Sequence, residues 1–226
     1  MISKTLVVGP FQCNCRALIC ERTGETLLID PGDEAQTILD TIRGLEAELG
    51  RKLHVKALLH THAHLDHIGA TRDVKEALAV TGVAGPEIFL HKADEPLYQN
   101  LRMQGQLFGF EYRDPLPVDR KLEHEQELKF GEIRLTVIHT PGHSPGGVSL
   151  RLHEDKASKA IETVFTGDTL FAGSVGRTDL WGADTDLMFL SIRERLLTLD
   201  DDTRVCAGHG PDSKIGIEKR NNPFLV

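Results

Sequence analysis

Residues 61–67 read THAHLDH, and this stretch decides how the chain is interpreted. His62 and His64 stand two positions apart, so on an extended backbone both side chains point to one side and can bind one metal ion. Asp66 stands where the next helix should begin, and the change of chain direction there turns Asp66 and His67 toward a second point. The alternative, with Asp66 only a helix N-cap and the histidines surface groups, does not account for so dense a motif. The spacing therefore predicts two adjacent metal ions.

Strands and helices alternate on the N-terminal side of this motif. Residues 25–32, ETLLIDPG, predict a short strand closed by a Pro-Gly turn. Apolar residues at three- and four-residue steps then predict a helix with Asp33 as its N-cap and Gly50 as its end. Residues 55–59, VKALL, predict the buried strand that leads into the histidines, and a helix after them is expected to end near Gly82.

The C-terminal half returns to strands. Residues 92–120 are expected to form a loop with a short helix that covers one side of a site. Because neighbouring strands are often joined by short turns, a simple parallel sheet fits poorly. We predict an α/β fold of one domain over residues 1–226, with two mixed sheets packed together and helices outside. The predicted strands are 87–91, two within 127–140, 148–154, 162–168 and the start of 203–210, with an amphipathic helix over 187–199.

Three further loops each place one candidate metal ligand after an apolar strand. These are His143 in TPGHSPGG, Asp168 in TGDT and His209 in AGHGP. Glycines beside each candidate let the backbone turn tightly and approach a metal ion. Imidazole and carboxylate groups without thiolates are typical of zinc, iron or manganese sites rather than of a zinc finger.

Charge and composition exclude several other functions. The chain has 26 basic and 34 acidic side chains, for a formal net charge of −8, and no run of Lys and Arg exceeds two residues, so no nucleic-acid partner is expected. No apolar run reaches membrane-spanning length, and the first residues lack a secretory pattern. The cysteines form no C-x-x-C pair, so we expect reduced thiols in a cytoplasmic protein. They are Cys13, Cys15, Cys20 and Cys206.

The order THAHLDH, GHSPG, TGD and GHG resembles the metallo-β-lactamase-fold hydrolases, and within them the short glyoxalase II-like group of hydroxyacylglutathione hydrolases. The resemblance covers nearly the whole chain and implies a four-layer αβ/βα sandwich with two divalent ions at one edge. Zinc is the first expectation, with iron or manganese as alternatives. The implied ligands are His62, His64 and His143 for the first ion, Asp66, His67 and His209 for the second, and Asp168 between them.

The substrate-binding part of the resemblance is incomplete. Arg177 follows Gly176 as a basic residue does in the glutathione site of the family, but Asp179 stands where an aromatic residue is expected. The family's basic C-terminal residues are matched by Lys219 and Arg220. Seventeen residues follow His209, so we expect most of the C-terminal region of long glyoxalase II enzymes to be missing. For Trp181 and Phe171, core packing is the first expectation and the lining of a pocket is the alternative.

These residues predict a thioester hydrolase for small-molecule S-acyl glutathione-like substrates, with a metal-bridging hydroxide as the nucleophile. Asp66 is expected to orient that hydroxide, and Asp30 to hold a ligand histidine in place. A β-lactam substrate is disfavoured, because Asp168 stands near the position where the main clinical enzymes have a cysteine. The alternative is a persulfide dioxygenase with one iron on His62, His143 and Asp168. The sequence leaves the oligomeric state open.

Overall fold

Two mixed six-stranded β-sheets form the centre of the molecule, as the sequence predicts. The computed structural model describes residues 1–79, 85–153 and 161–226. In spatial order the first sheet consists of β1 (Ile2–Val8), β2 (Cys13–Ile19), β3 (Glu25–Ile29), β4 (His54–Leu59), β5 (Glu87–His91) and β6 (Arg120–Leu122). The second consists of β14 (Ser213–Lys214), β13 (Arg204–Ala207), β10 (Thr163–Gly167), β9 (Val148–His153), β8 (Ile133–His139) and β7 (Glu127–Phe130). A small hairpin is formed by β11 (Leu170–Phe171) and β12 (Ser174–Val175).

Antiparallel and parallel pairings occur in both sheets. In the first sheet, β1, β2 and β3 pair antiparallel and β3 to β6 pair parallel. In the second, β10 and β13 are parallel, and the other pairs are antiparallel. Antiparallel neighbours can be joined by short turns, as β7 and β8 are, whereas parallel pairs need longer crossovers. The predicted mixed topology is therefore confirmed.

Alternating side chains of the central strands divide the core into layers. Leu27 and Ile29 of β3 face the second sheet, and Leu28 between them packs on the opposite side. In the second sheet, Phe165 faces inward and its neighbour Val164 faces the outer helices. This period-two pattern, apolar on both faces, is what a strand buried from both sides requires. Helices cover the outer faces, and the result is the expected four-layer arrangement.

The helices agree with the sequence prediction in position but not in every detail. They are α1 (Ala35–Leu49), α2 (Leu65–Ile68), α3 (Thr71–Leu78), α4 (Glu95–Gln99), α5 (Leu101–Phe108), α6 (Thr185–Ser191) and α7 (Ile215–Asn221), with a 3₁₀ turn at Lys92–Asp94 and a π-helical turn at Ile192–Leu196. Gly50 ends α1 in a left-handed conformation, as predicted. The predicted N-cap is wrong: Glu34, not Asp33, caps α1, because Glu34 takes a left-handed φ of 50° and the helix begins after it. The predicted stop near Gly82 lies outside the described residues.

The segment between β5 and β6 is more helical than the sequence predicts. The expected loop with a short helix contains a 3₁₀ turn, α4 and α5, and only residues 109–119 lack regular structure. Throughout the ranges that the structure describes, no helix has the length and apolar character needed to cross a bilayer.

Backbone hydrogen bonds join the two sheets at the edge where the histidine motif lies. The amide of Val148 donates to the carbonyl of Thr61 at 2.8 Å, and the amide of Asn14 donates to the carbonyl of Gly208 at 2.7 Å. Thr61 and Asn14 belong to the first-sheet half of the chain, and Val148 and Gly208 to the second. Loops from both sheets are therefore held together at this edge.

Candidate metal centre

Four loops at the shared edge bring all seven predicted ligands together. The loop after β4 carries His62 and His64, and the short helix α2 that follows it carries Asp66 and His67. The other three loops follow β8, β10 and β13, and they carry His143, Asp168 and His209 respectively. Ligand atoms of these residues form three overlapping groups, within each of which the atoms lie within 4.8 Å of one another.

The triple-histidine cluster consists of His62, His64 and His143 and is buried. The Nδ1 atom of His64 lies 2.8 Å from the Nε2 atom of His143, and the rings of His62 and His143 have their centroids 4.8 Å apart. The Nε2 atom of His62 is buried and has no hydrogen-bond partner among the residues that the structure describes. A buried polar atom without a partner is costly, and a metal ion would satisfy it.

The mixed cluster consists of Asp66, His67 and His209. The Nε2 atom of His209 lies 3.1 Å from Oδ2 of Asp66 and 3.2 Å from Nε2 of His67. Asp66 and His209 are half-buried, whereas His67 is fully buried. This cluster therefore combines a carboxylate with imidazoles and is partly open to solvent.

Asp168 lies between the two clusters. Its Oδ1 atom is 3.4 Å from Nε2 of His67, and its Oδ2 atom is 3.7 Å from Nε2 of His143 and 3.5 Å from Nε2 of His209. Oδ1 is also buried without a hydrogen-bond partner. One carboxylate thus reaches ligand atoms of both clusters.

The two clusters differ in how they hold protons. Burial lowers the pKa of His64 to about 3 and, with the neighbouring imidazoles, lowers the pKa of His62 well below its usual value. Burial would also lower the pKa of His209, but a hydrogen bond to Asp66 and the charge of Asp168 raise it. Burial would raise the pKa of Asp168, but the surrounding histidines outweigh it and hold that pKa below its ordinary value. His62 and His64 are therefore neutral and ready to bind a cation.

Hydrogen bonds on the far side of the rings orient several of the histidines. Nδ1 of His67 donates to Oδ2 of Asp30 at 3.0 Å. Nδ1 of His143 donates to the carbonyl of Arg177 at 2.8 Å, and Nδ1 of His209 to the carbonyl of Gln12 at 3.2 Å. In each case Nε2 is left to face the cluster, which is the arrangement that metal-binding histidines require.

Asp30 supports ligands of both clusters. It is buried in a left-handed backbone conformation with φ of 52° and accepts hydrogen bonds from the amide and the hydroxyl of Thr61, both at 2.7 Å. The Thr61 hydroxyl in turn accepts from Nδ1 of His62 at 3.0 Å. Asp30 therefore orients His67 directly and His62 through Thr61, in agreement with the role that the sequence suggested.

Asp94 is a functional residue that sequence reasoning missed. Its buried carboxylate accepts hydrogen bonds from the amide of Ala63 at 3.0 Å, from the hydroxyl of Ser144 at 2.8 Å and from the amide of Gly146 at 2.5 Å. Ala63 lies between His62 and His64, and Ser144 follows His143. Asp94 therefore ties together the two loops that form the triple-histidine cluster. The sequence offers no signal for it beyond one aspartate after a strand.

The backbone beside Asp168 leaves room only for glycine. A Cβ atom on Gly208 would clash with Oδ1 of Asp168 and lie 2.7 Å from Cε1 of His67. The glycine therefore lets the loop that carries His209 approach the shared carboxylate closely. Two buried atoms, Nε2 of His62 and Oδ1 of Asp168, lack hydrogen-bond partners among the described residues. Together with this close approach, they fit a pair of metal ions.

The predicted substrate-binding residues lie in different places. Arg177 lines the cavity in front of the clusters, where its guanidinium makes a two-bonded ion pair with Asp179, at 2.7 and 2.8 Å. Lys219 and Arg220 are on α7 and pair with Asp201, away from the residues that line this cavity. The expectation that Trp181 belongs to the core is wrong, since this side chain is exposed and lines the cavity.

The fold and the ligand clusters are those of one known family. Residues 8–209 match the family model described as "Metallo-beta-lactamase superfamily". The chain belongs to the metallo-beta-lactamase superfamily. This superfamily member is 40% identical over 220 residues to "Hydroxyacylglutathione hydrolase GloC" of Haemophilus influenzae, a match that covers 96% of this chain and 95% of GloC.

Solved structures of the same superfamily fold superpose on nearly the whole chain. "TTHA1623 in a di-iron-bound form" is 40% identical with a TM-score of 0.80, covering 98% of this chain and all of that one. "BLEG-1 B3 metallo-beta-lactamase" is 34% identical with a TM-score of 0.84, covering all of both chains. "ETHE1 from Myxococcus xanthus" is 25% identical with a TM-score of 0.75, covering all of this chain and 84% of that one. The comparisons support a metallohydrolase of the metallo-beta-lactamase superfamily.

Proposed function

We propose that this protein is a binuclear metal-dependent hydrolase that cleaves thioesters of the S-acyl glutathione type. The observation that carries the proposal is the position of Asp168, whose two carboxylate oxygens approach ligand atoms of both clusters. The similarity to a protein named hydroxyacylglutathione hydrolase supports the thioester substrate. Two divalent ions, zinc first and iron or manganese as alternatives, fit these imidazole and carboxylate donors, and the di-iron form of TTHA1623 keeps iron in consideration.

The ligand sets follow from the geometry of the donors. The triple-histidine cluster would hold one ion and the mixed cluster the other, and Asp168, which approaches ligand atoms of both clusters, would be shared. Asp30 and the carbonyl of Arg177 keep His67 and His143 turned toward these ions. A pair of bound divalent cations supplies a water-derived nucleophile at neutral pH and polarises the substrate carbonyl.

The residues of the chain position the reacting groups. Hydrolysis adds the oxygen of water to the carbonyl carbon, breaks the carbon–sulfur bond and releases a carboxylic acid and a thiol. Asp66 lines the cavity and has a pKa below its usual value, because nearby His67 and a hydrogen bond with His209 outweigh its burial. It is therefore a carboxylate at neutral pH and orients the attacking water by accepting a hydrogen bond.

A persulfide dioxygenase is the second candidate. Its single iron would use His62, His143 and Asp168, and Nε2 of His143 lies 3.7 Å from Oδ2 of Asp168. The mixed cluster favours the hydrolase, because a one-iron enzyme has no use for a second complete group of donors at Asp66, His67 and His209. We also propose that the enzyme acts in the cytoplasm on a small molecule rather than on nucleic acid, which agrees with its four free, buried cysteines and its net charge of −8.

The deciding experiment measures two activities of one metal-loaded preparation. Zinc-, iron- and manganese-loaded protein is assayed for S-lactoylglutathione hydrolysis and for oxygen uptake with glutathione persulfide. We expect thiol release without oxygen consumption and two ions per chain. Oxygen consumption with one iron per chain and no thioester cleavage would overturn the proposal in favour of the dioxygenase.

A further inference from the structure

The cavity in front of the metal clusters has an apolar wall that the hydrolytic chemistry does not use. Leu107 and Phe108 at the end of α5 are 79% and 52% exposed, and Trp181 across from them is 65% exposed. Phe11, in the turn between β1 and β2, packs edge-to-face against Phe108 with ring centroids 5.3 Å apart. Large apolar side chains exposed together mark a contact surface for a ligand or partner.

Hydrogen bonds fix this wall relative to the metal-binding loop. Gln104 on α5 accepts from the amide of Leu65 at 2.9 Å and donates to the carbonyl of Ala63 at 3.0 Å. Its amide group also donates to the carbonyl of Leu97 at 2.9 Å, which connects α5 to α4. The helix that carries Leu107 and Phe108 is thus attached to the loop of His62 and His64, and the wall is part of the site.

The cavity offers little to the carboxylates of glutathione. Among the described residues that line it, Arg177 is the only cation. Two of its three guanidinium nitrogens, Nε and Nη2, donate hydrogen bonds to the carboxylate of Asp179. Lys219 and Arg220, the other two predicted cations, are bonded to Asp201 elsewhere on the surface. A carboxylate of the carrier would therefore have to compete with Asp179 for Arg177.

The size of the cavity limits what fits beside the clusters. Its volume is ≈ 230 Å³. Pockets that enclose a drug-sized ligand have volumes of about 300–1,000 Å³. This cavity therefore accommodates the reacting thioester together with one compact group, and most of a tripeptide carrier would lie outside it.

We propose that this cavity selects thioesters that carry a compact apolar group next to the scissile bond, and that ion pairs with the thiol carrier do not contribute to recognition. The proposal rests on the proposed function for its chemistry and names the substrate class of the same site. The apolar group is the acyl chain or the thiol, and the test below separates these two.

Trp181 provides a direct measure of binding, because it is the single tryptophan of the chain and lines the cavity. Zinc-loaded protein is titrated with non-cleavable thioethers, and tryptophan fluorescence is recorded. S-hexylglutathione should bind at least about tenfold more tightly than S-(2-hydroxypropyl)glutathione, since each additional buried methylene favours binding. Raising the salt from 50 to 500 mM should change the affinity by less than about twofold, because no exposed ion pair is involved.

Two further arms identify the apolar partner and its wall. The hexyl thioether of N-acetylcysteamine keeps the hexyl chain but lacks the charged glutathione carrier, and it should retain most of the affinity. A large loss of affinity would show that the carrier, not the apolar group, provides the binding, and would overturn the proposal. Steady-state hydrolysis of hexanoyl and lactoyl thioesters on one carrier, and of lactoyl thioesters on aromatic and peptide thiols, then shows whether the acyl chain or the thiol is preferred.

Phe108→Ala tests the wall, with Phe224→Ala as the matched control. Both phenylalanines are 52% exposed, and Phe224 lies outside the cavity. Phe108→Ala should weaken S-hexylglutathione binding about tenfold, or by ~1.4 kcal/mol, whereas Phe224→Ala should leave it unchanged. Leu107→Ser, at a highly exposed position, repeats the test if Phe108→Ala folds poorly.

The outcomes separate the ligand class from the reaction. Equal binding of apolar and polar thioethers, strong salt dependence or equal effects of the two phenylalanine variants would overturn the apolar selection. Hydrolysis of S-lactoylglutathione together with any of these results would leave the proposed function standing. If the protein binds apolar thioethers tightly but cleaves no thioester, the proposed function is overturned, whereas the proposed preference of the cavity for apolar ligands still holds.

Discussion

The triple-histidine cluster and the mixed cluster share Asp168 but differ in charge and exposure. His62, His64 and His143 are buried, and none of them brings a negative charge. The mixed cluster has a carboxylate of its own, and Asp66 and His209 are half-buried. The difference indicates that metal binding at the triple-histidine cluster depends on the rigidity of its loops. Metal binding at the mixed cluster depends on charge, and protons compete with the metal ion there.

Asp168→Ala should have the largest effect, because this variant removes a carboxylate whose two oxygens approach ligand atoms of both clusters. We expect the metal content to fall at both positions and thioester hydrolysis to be lost, since the two ions act as a pair. Metal content is measured by plasma mass spectrometry after dialysis. Unchanged occupancy in a folded Asp168→Ala protein would show that Asp168 is not a ligand.

His143→Ala and His209→Ala should separate the clusters. The first variant should mainly empty the triple-histidine cluster and the second mainly the mixed cluster, because each removes one of three donors. Cobalt substitution followed by absorption spectroscopy reports the two sites separately. His54→Ala is the control, as His54 is exposed at the start of β4 and belongs to neither cluster. Loss of the same signal in both ligand variants would contradict the division.

Asp94→Asn should weaken the triple-histidine cluster selectively. The amide cannot accept all three hydrogen bonds that the carboxylate accepts, so the loops of Ala63 and Ser144 lose their common anchor. Zinc affinity at this cluster should fall by about tenfold, the lower end for residues that support metal ligands, as measured by competition with a chromogenic chelator.

The matched control for Asp94 is another buried carboxylate with several hydrogen bonds. Glu218 accepts from the amide of Gly173 at 2.9 Å and from Asn222 at 2.8 Å, outside both clusters. Glu218→Gln and Asp94→Asn should both lower the thermal midpoint, because each leaves buried donors without full partners. Only Asp94→Asn should lower zinc affinity. Equal loss of affinity in both variants would reduce Asp94 to a general structural role.

Acidification should release the ion of the mixed cluster first. Imidazole binds a metal ion only when it is deprotonated. Because the pKa of His209 is raised and that of His64 is lowered to about 3, protons compete for the mixed cluster at higher pH. Titration of the cobalt-loaded protein downward from pH 8 should therefore remove the mixed-cluster signal before the other. The reverse order would contradict the proton assignment.

The ligands were predictable because each group of them follows an apolar strand, and strand ends meet at one edge. His62 and His64 carry this signal locally, and so do the glycine-flanked His143 and His209. Asp94 was not predictable, because two of its three partners are backbone amides whose positions depend on the packed fold. The order of the layers was likewise visible in the strand pattern.

The cavity wall was missed for a different physical reason. Large apolar residues are ordinarily assigned to the core, so core packing is the first expectation for Trp181 and pocket lining only the alternative, whereas the structure leaves Trp181 exposed beside the metal clusters. Leu107 and Phe108 lie in a segment that was expected to be mostly loop, and their exposure follows from how α5 docks through Gln104. The left-handed backbone conformation of Glu34, which makes this residue the N-cap of α1 in place of Asp33, is likewise a local feature that the sequence pattern does not indicate.

Anomalous diffraction from zinc-loaded crystals tests the central claim most directly. We expect two peaks about 3.5–4 Å apart, one within the triple-histidine cluster and one within the mixed cluster, with an oxygen of Asp168 beside each. A single peak, or two peaks that Asp168 does not join, would contradict the binuclear centre on which the proposed hydrolysis depends.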